Sequence, residues 1–322
     1  MSRSGVKVLC FTNMYPSAAD PVSGRFVRDL VEDVRALGVD VDVLAFDGRT
    51  SRRAYADAGL KLRRVLRRLD VDLIHAHYGL TGALTLGQRR VPTVVTFHGS
   101  DTGNPDVRWQ AWVSWVVARL ATPVFVARDG ACRLGCQTAA VIPAGVDVDL
   151  FRPRSKAEAR ATLGWPAGGR YVLLPGSRAN PVKGARLFDA VIEQVRRRVA
   201  DTTPVSLEGF SREQVADVMN AVDVTLMTSR FEGSPVSIKE SLACMTPVVS
   251  TPVGDVPEIL AGLPGCTVAP NDPEALAEGV LRAFEHGGDP ALRSRAERVS
   301  RPRVAERMVA LYESVLARTG RQ

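Results

Sequence analysis

The 322-residue chain is short of several things that would decide its class at once. Aromatic residues make up 6% of it, and there are only four histidines. Its five cysteines are an odd number, and only Cys132 and Cys136 lie close together. No second pair and no neighbouring histidine completes a zinc set, so free or buried thiols in a reducing cytoplasm are expected. No stretch of eighteen apolar residues occurs, which excludes a membrane-spanning helix of ordinary length. The apolar run VKVLCF near the N-terminus is too short for a signal h-region, and no small-residue cleavage site follows it. The expectation is a protein made and kept in the cytosol. There is no GxGxxG dinucleotide signature, no short-period repeat and no low-complexity block. Acidic residues are the minority, 35 against 42 Lys and Arg, for a net charge of +7. Nucleotides, other small polyanions and an anionic membrane surface are therefore plausible partners. Nucleic acid is not expected.

What is present describes a globular enzyme-sized chain. It is 45% hydrophobic and 24% charged, and 322 residues exceed what one core usually accommodates. Apolar strand-like runs alternate with helical stripes. VKVLCFT (6–12), VDVDVLAF (39–46), VDLIHAH (71–77), PTVVTFH (92–98), PVFVA (123–127) and TAAVIP (138–143) read as strands. Phe26, Leu30, Val31, Val34 and Leu37 form a helical stripe after the first of them. Asn104 and Pro105 supply start signals for a helix over 105–120. Trp109, Trp112, Val113, Val116 and Leu120 share one face of it and are expected in the core, with Trp115 off that face. The segment 143–168 breaks the rhythm, and the alternation restarts with YVLLPGS (171–177), PVSLEG (204–209), DVTLMTS (223–229), PVVST (247–251) and CTVA (266–269). Helices are expected over 183–199, 211–220, 235–244, 256–261 and 272–286, and one or two more over 289–318. Strands apolar on both sides mean parallel sheets covered on both faces. The chain is thus expected to be α/β, two Rossmann-like domains with a cleft between them, over 1–152 and 168–303.

Ligands of such sheets bind beyond the carboxyl ends of the strands, so loops that follow a strand and open a helix are the place to look. Four stand out. In 12–24, Gly24 sits where a helix starts, and glycine there lets an anionic ligand reach the backbone; an ordinary loop is the plain alternative. In HGSDTGN (98–104), His98 ends a strand and can exchange a proton with a hydroxyl, although a lone histidine is often only structural. In PGSRANPVKG (175–184), Arg178 and Lys183 flank a turn into a helix and suit a diphosphate; the alternative is a solvated pair. In FEGSPVSIKE (231–240), Ser234 can cap a helix that begins at Pro235, which puts Glu232 outside it and Glu240 in its second turn. The N–H groups of Val236 and Ser237 would then remain free for a phosphate or sugar oxygen, with Gly233, Ser234 and Val236 expected to bind the donor. A capping box of Ser237 and Glu240 is the alternative, which Pro235 argues against.

Other patterns carry less. Asp-Val-Asp recurs at 40–42, 70–72 and 147–149, twice at strand starts and once in the interdomain connection, so no metal is predicted. His75 and His77 share a strand face without a third ligand, and packing or an acceptor contact is the better reading. The helix over 51–69 carries Arg52, Arg53, Lys61, Arg63, Arg64, Arg67 and Arg68 against a single acid, Asp57. It is the solvated side of a Rossmann helix or, alternatively, a contact with anionic lipid at the inner face of the membrane.

Six blocks together resemble the retaining GT-B glycosyltransferases of family 4: PVSGRFVRDLVEDVRALGVDVDVL, DLIHAHYGLTGALTL, PTVVTFHGSD, VIPAGVDVDLFRP, PGSRANPVKG and AVDVTLMTSRFEGSPVSIKESLACMTPVVSTPVGDVPEIL. The last holds the E-x7-E element as Glu232 and Glu240. The resemblance implies that Arg178 and Lys183 hold the donor diphosphate, Glu240 the ribose and Glu232 the transferred sugar. It implies that His98 acts near the reaction centre and that Gly24 lets the N-terminal domain approach the donor. A nucleotide-diphosphate sugar would be the co-substrate, with no other cofactor, and a saccharide, lipid-linked or small-molecule hydroxyl the acceptor. A tail helix, about 304–318, would cross back to the N-terminal domain. The chain departs from the family pattern in having Gly-Ser-Pro-Val after Glu232, Ala144 where asparagine is common, and one strand fewer after 183–199. Relatives with EGSP and a following KE occur among surface-polysaccharide enzymes. A nucleotide-sugar epimerase of the same architecture and a non-catalytic sugar-nucleotide-binding partner are the rival readings.

Overall fold

The computed structural model describes residues 5–17, 20, 23–48, 51–103 and 107–320. The start signals Asn104 and Pro105 lie outside the described residues, as does the side chain of Arg52. The chain divides into two compact units, Met1–Gly145 with Arg301–Gln322, and Val146–Ser300.

The first unit runs β1 (Lys7–Thr12), α1 (Arg25–Ala36), β2 (Asp40–Ala45), α2 (Arg52–Arg68), β3 (Leu73–His77), α3 (Gly79–Thr85), β4 (Thr93–Phe97), α4 (Ser100–Gly103), α5 (Arg108–Leu120), β5 (Thr122–Phe125), α6 (Arg128–Arg133) and β6 (Ala140–Val141). The second runs α7 (Lys156–Thr162), β7 (Arg170–Leu174), α8 (Ala185–Arg196), β8 (Thr202–Ser206), α9 (Arg212–Ala221), β9 (Val224–Met227), α10 (Val236–Ala243), β10 (Val248–Ser250), α11 (Val256–Leu260), β11 (Thr267–Val268), α12 (Pro273–His286) and α13 (Pro290–Glu297). A last helix, α14 (Arg301–Arg318), belongs to the first unit.

Among the described residues each unit holds one parallel sheet, in the orders β2-β1-β3-β4-β5-β6 and β11-β10-β9-β7-β8. Side chains alternate across a strand, and the cores follow that alternation. Val8, Cys10, Leu73, Val94 and Val124 pack under α1 and α14. Their neighbours Leu9, Phe11 and Ile74 meet α2, while Ala76, Val95, Phe97 and Phe125 meet α5 and α6. In the second unit Tyr171, Leu173 and Met227 meet α9 and α10, and Val172, Leu174 and Leu226 meet α8 and α12.

Several expectations change. The second unit begins at Val146 rather than at 168, because Val146 and Phe151 are buried in its core. The segment 143–168 also contains a helix, α7, whose cap Ser155 accepts the Glu158 N–H. The tryptophan face of α5 is not core: Trp109 is 57% exposed, Trp112 68% and Leu120 67%. The buried stripe is Ser114, Val117 and Ala118 instead. Glycines of α3 force that choice. A Cβ on Gly79 would lie 2.0 Å from Ser114 Oγ, and one on Gly82 2.9 Å from Val117. So close an approach admits only small or β-branched residues on the inner side of α5.

Candidate active site

In the second unit the order β9-β7-β8 reverses direction at β7 and β9, the kind of position where α/β sheets bind ligands. The loops that follow these two strands meet there. Gly176 and Gly184 make the first loop possible. A Cβ on Gly176 would lie 2.8 Å from Lys183 Cε, and Gly184, at φ 66, would put one 2.1 Å from the Thr228 carbonyl oxygen. Thr228 Oγ1 donates to Lys183 O at 2.9 Å, and the Arg230 N–H donates to Val182 O at 2.8 Å. The two loops are thus stitched together. Lys183 Nζ then reaches Glu232 Oε1 at 2.7 Å, and the same oxygen accepts from Ser229 Oγ at 2.9 Å. Both charged side chains are mostly buried.

Arg178 is turned elsewhere. Its guanidinium donates to both carboxylate oxygens of Asp189 on α8, at 2.8 and 2.7 Å. Its backbone N–H, with the Ser177 hydroxyl, is held by Glu208, whose carboxyl these hydrogen bonds keep below its ordinary pKa. This pair with Asp189 is half exposed, as the plain alternative for Arg178 expected.

The 232–240 stretch differs from both capping readings. The helix begins at Val236 with Pro235 as its N-cap, and no side chain caps it. The Ser234 hydroxyl is engaged by Asp255 and by Lys239 Nζ instead. Lys239 is fully buried, 3.7 Å from Asp255 Oδ2. Burial pulls the Lys239 pKa down and pushes the Asp255 pKa up, each against the attraction of the other. Asp255 also donates its N–H to Gly233 O at 3.0 Å, and Gly254, at φ 53, leaves only 2.0 Å between a built Cβ and that oxygen. Gly233 and Ser234 are therefore held from behind by the residues after β10. Val236 supplies the first N–H of α10, which has no acceptor inside the helix. Glu240 is buried, and Arg212 at the start of α9 lies 2.5 Å from its Oε1. Arg212 in turn sits over the Phe151 ring, 4.3 Å from its centre.

In the first unit His98 follows β4 and its Nε2 lies 3.1 Å from Nδ1 of His77 at the end of β3. Phe26 and Tyr78 flank its ring at centroid distances of 4.9 and 4.8 Å. Behind them His75 is fixed at both nitrogens, by Tyr312 of α14 and by Thr96, each at 2.7 Å. Burial lowers His75 and His98 to about 3, and it lowers His77 well below the ordinary value with help from its two neighbours. All three rings are neutral at physiological pH. His77 Nε2 is buried and has no partner among the described residues. His77 and His98 border a cavity of about 40 Å³ that Thr96, Met308 and Arg301 also line. Asp101 fixes the loop: Oδ1 accepts the N–H groups of His98 and Gly99, and Oδ2 that of Gly79, all at 3.0 Å. Burial still raises its carboxyl to about 6.

Gly24 is required by its own loop. It caps α1 in the left-handed region, φ 70, and a Cβ there would lie 2.4 Å from the Met14 carbonyl carbon.

The structure thus gathers Lys183 and Glu232 at one point, with Gly233, Ser234 and Val236 on the same loop and helix start. It turns the Arg178 guanidinium away to Asp189 on α8, and His98 and Gly24 belong to the other unit. Arg212, Lys239, Asp255 and Asp101 went unselected by sequence reasoning, whereas His77 was read as packing or an acceptor contact and lies against His98. Lys239 and Asp101 lie inside the quoted motifs and could have been weighed. Nothing in local spacing marks Arg212 as the partner of Glu240. Among the described residues no group of three His, Cys, Asp or Glu side chains is arranged to hold a metal ion.

Two families match the chain: Glycosyltransferase Family 4 over residues 23–150 and Glycosyl transferases group 1 over 172–286. The chain is a glycosyltransferase of GT-B architecture, and each matched segment is similar to one of those two families. Among similar sequences, the Bacillus subtilis teichuronic acid biosynthesis glycosyltransferase TuaC is 26% identical, over 97% of this chain and 94% of that one. The D-inositol 3-phosphate glycosyltransferase of Mycobacterium leprae is 28% identical, over 80% and 70%. Among solved structures, sucrose-phosphate synthase of Thermosynechococcus elongatus superposes with a TM-score of 0.81 at 20% identity, over 97% of this chain and 100% of that one. HepE of Anabaena, in complex with UDP and glucose, gives 0.74 at 17%, over 96% and 100%.

Proposed function

We propose that the protein transfers a sugar, with retention of anomeric configuration, from a nucleoside-diphosphate sugar to a hydroxyl acceptor in surface-polysaccharide or glycoconjugate assembly. The bond from the anomeric carbon to the diphosphate breaks and the bond to the acceptor oxygen forms. The acceptor proton leaves with the nucleoside diphosphate. The observation that carries this reading is the contact of Lys183 with Glu232 where the loops after β7 and β9 meet. A cation and a carboxylate at that edge suit, respectively, a diphosphate and the hydroxyls of the sugar it carries. Glu240, in the second turn of α10, is assigned to the ribose. Gly233, Ser234 and Val236 are assigned to the diphosphate, Arg178 to its outer edge, and His98 and Gly24 to the reaction centre as the family resemblance implies. HepE, solved with UDP and with UDP-glucose, supports a nucleotide-sugar donor. The name of TuaC supports a cell-surface polymer as acceptor class. Five free cysteines suit the cytoplasmic side, where the donor would be drawn.

The nucleotide sugar is the co-substrate, and no metal ligand is assigned, so EDTA is expected to leave turnover unchanged. The deciding experiment is a panel of nucleotide sugars and hydroxyl acceptors, read by release of nucleoside diphosphate and by the anomeric configuration of the product. Lys183→Ala and Glu232→Ala are each expected to lower kcat/KM by about a hundredfold or more, the loss of one charge-assisted transition-state contact. Unchanged transfer in both variants, at saturating and at limiting donor, would remove the site assignment. Donor turnover without acceptor, changing only the configuration of the sugar, would favour the epimerase reading.

A further inference from the structure

The exposed side of α5 is more apolar than its buried side. Trp109, Trp112 and Leu120 are more than half exposed and Trp115 is 43% exposed. At 100° per residue these four, with half-buried Val116, fall on one arc of the helix, and Arg108 and Arg119 lie within the same arc. Three of the four tryptophans in the chain are here. Among the described residues α5 bears no acidic side chain. Arg119 stacks over Trp115 at 3.8 Å and donates to the Trp115 and Leu134 carbonyls, which holds that guanidinium at the rim of the aromatic strip. Beyond Leu120 a groove of about 470 Å³ is lined by Arg89 and Arg90 and by no carboxylate.

The same layer of the first unit carries α2, whose inward residues Leu62 and Leu66 meet the sheet face that α5 also covers. Arg53, Lys61, Arg63, Arg64, Arg67 and Arg68 of α2 are exposed. One layer therefore offers a cationic field together with a helix about 20 Å long, whose tryptophans span about 9 Å of it and whose apolar strip runs on to Leu120. Indole rings favour the boundary between water and acyl chains, and arginine beside them favours anionic headgroups. We propose that α5 docks the protein on an anionic phospholipid bilayer, with Trp109, Trp112 and Trp115 at the acyl boundary and Arg108, Arg119 and Arg89 at the headgroups. The basic face of α2 adds long-range attraction, and α5 supplies the insertion.

The test uses the full chain with Trp165→Phe, which leaves the three α5 indoles as the fluorophores. Sedimentation with phosphatidylglycerol–phosphatidylcholine vesicles is expected to carry the protein down, with a blue shift of the emission. Phosphatidylcholine alone is expected to bind it far less. Replacing Trp109, Trp112 and Trp115 by Ser is expected to weaken binding at least tenfold, while Arg63→Ser/Arg64→Ser/Arg67→Ser weakens it less and leaves the blue shift in the bound fraction. If the triple serine variant fails to fold, Trp112→Ser, at the most exposed position, carries the comparison. Three results each overturn the proposal: no binding to anionic vesicles at low salt, equal binding by the serine variant, or a self-association in gel filtration that the serine substitutions abolish. The last would make the strip a contact between two copies of the chain.

Discussion

Lys239→Met probes whether the Gly233–Ser234 turn is held from behind. Lys239 is fully buried and its ammonium contacts Ser234 and Asp255. Removing one partner of a buried pair leaves the other charge uncompensated and costs about 3–5 kcal/mol. Methionine fills nearly the same volume, and Ser234 still donates to Asp255, so the lower end, about 3 kcal/mol, is expected. At about 2 kcal/mol per molar urea, the unfolding midpoint of the second unit falls by about 1.5 M. Trp165, stacked on Tyr171 at 5.0 Å inside that unit, reports it once the three α5 tryptophans are replaced by Phe. The loss has a pH signature. Burial already raises the Asp255 pKa, and a raised carboxyl costs stability above its folded pKa and none once pH has fallen below both its folded and unfolded values. Taking Lys239 away raises it further, so the deficit shrinks as pH falls through the raised folded pKa towards the ordinary carboxylate value. The double variant Lys239→Met/Asp255→Leu removes both charges and should recover most of the loss. A midpoint shift below about 0.3 M, or a double variant no better than the single, would refute the buried-pair account.

Asp223 is buried and receives Lys156 at 2.7 Å, Arg160 at 2.8 Å and Arg170 at 3.2 Å. Asp223→Ala leaves the buried Arg160 guanidinium without its counter-charge, held by backbone carbonyls, and about 3 kcal/mol of stability should be lost in denaturant titration. Burial pushes the Asp223 carboxyl up, but Lys156, the Tyr171 N–H and Arg160 outweigh it and hold the pKa below the ordinary value. Its contribution is therefore complete above about pH 4 and lost as pH falls further through the folded pKa, a loss the Ala variant should not show. His98 is lowered to about 3, so the kcat/KM profile should have no inflection from its ring between about pH 5 and 8. An inflection there that vanishes in His98→Asn would contradict the burial on which its neutrality rests.

The layered α/β plan was legible because strand period and helical stripe are local properties, and Val8, Leu9, Cys10 and Phe11 alternate between two cores as their spacing implies. The site loops were legible for the same reason, since a glycine or proline after a strand marks where the chain turns. What escaped were decisions made across space. Trp112 looks like core by periodicity, yet the glycines of α3 decide which side of α5 is buried. Ser234 looks like a cap by spacing, yet Asp255, 21 residues on, takes its hydroxyl. Glu240 gives no hint of Arg212, which lies earlier on a different helix.

The passage of α14 into the first unit has a consequence for biosynthesis. Val304, Ala305, Met308, Val309 and Tyr312 complete the core beneath β1, β3, β4 and β5, and His75 waits 237 residues for its Tyr312 hydroxyl. On the ribosome the first 145 residues therefore emerge with one face of their sheet only half covered. The second unit, Val146–Ser300, is continuous in sequence and can close while that face is still open. The half that is translated first is the half that matures last, and its open face is what a chaperone would meet in the interval.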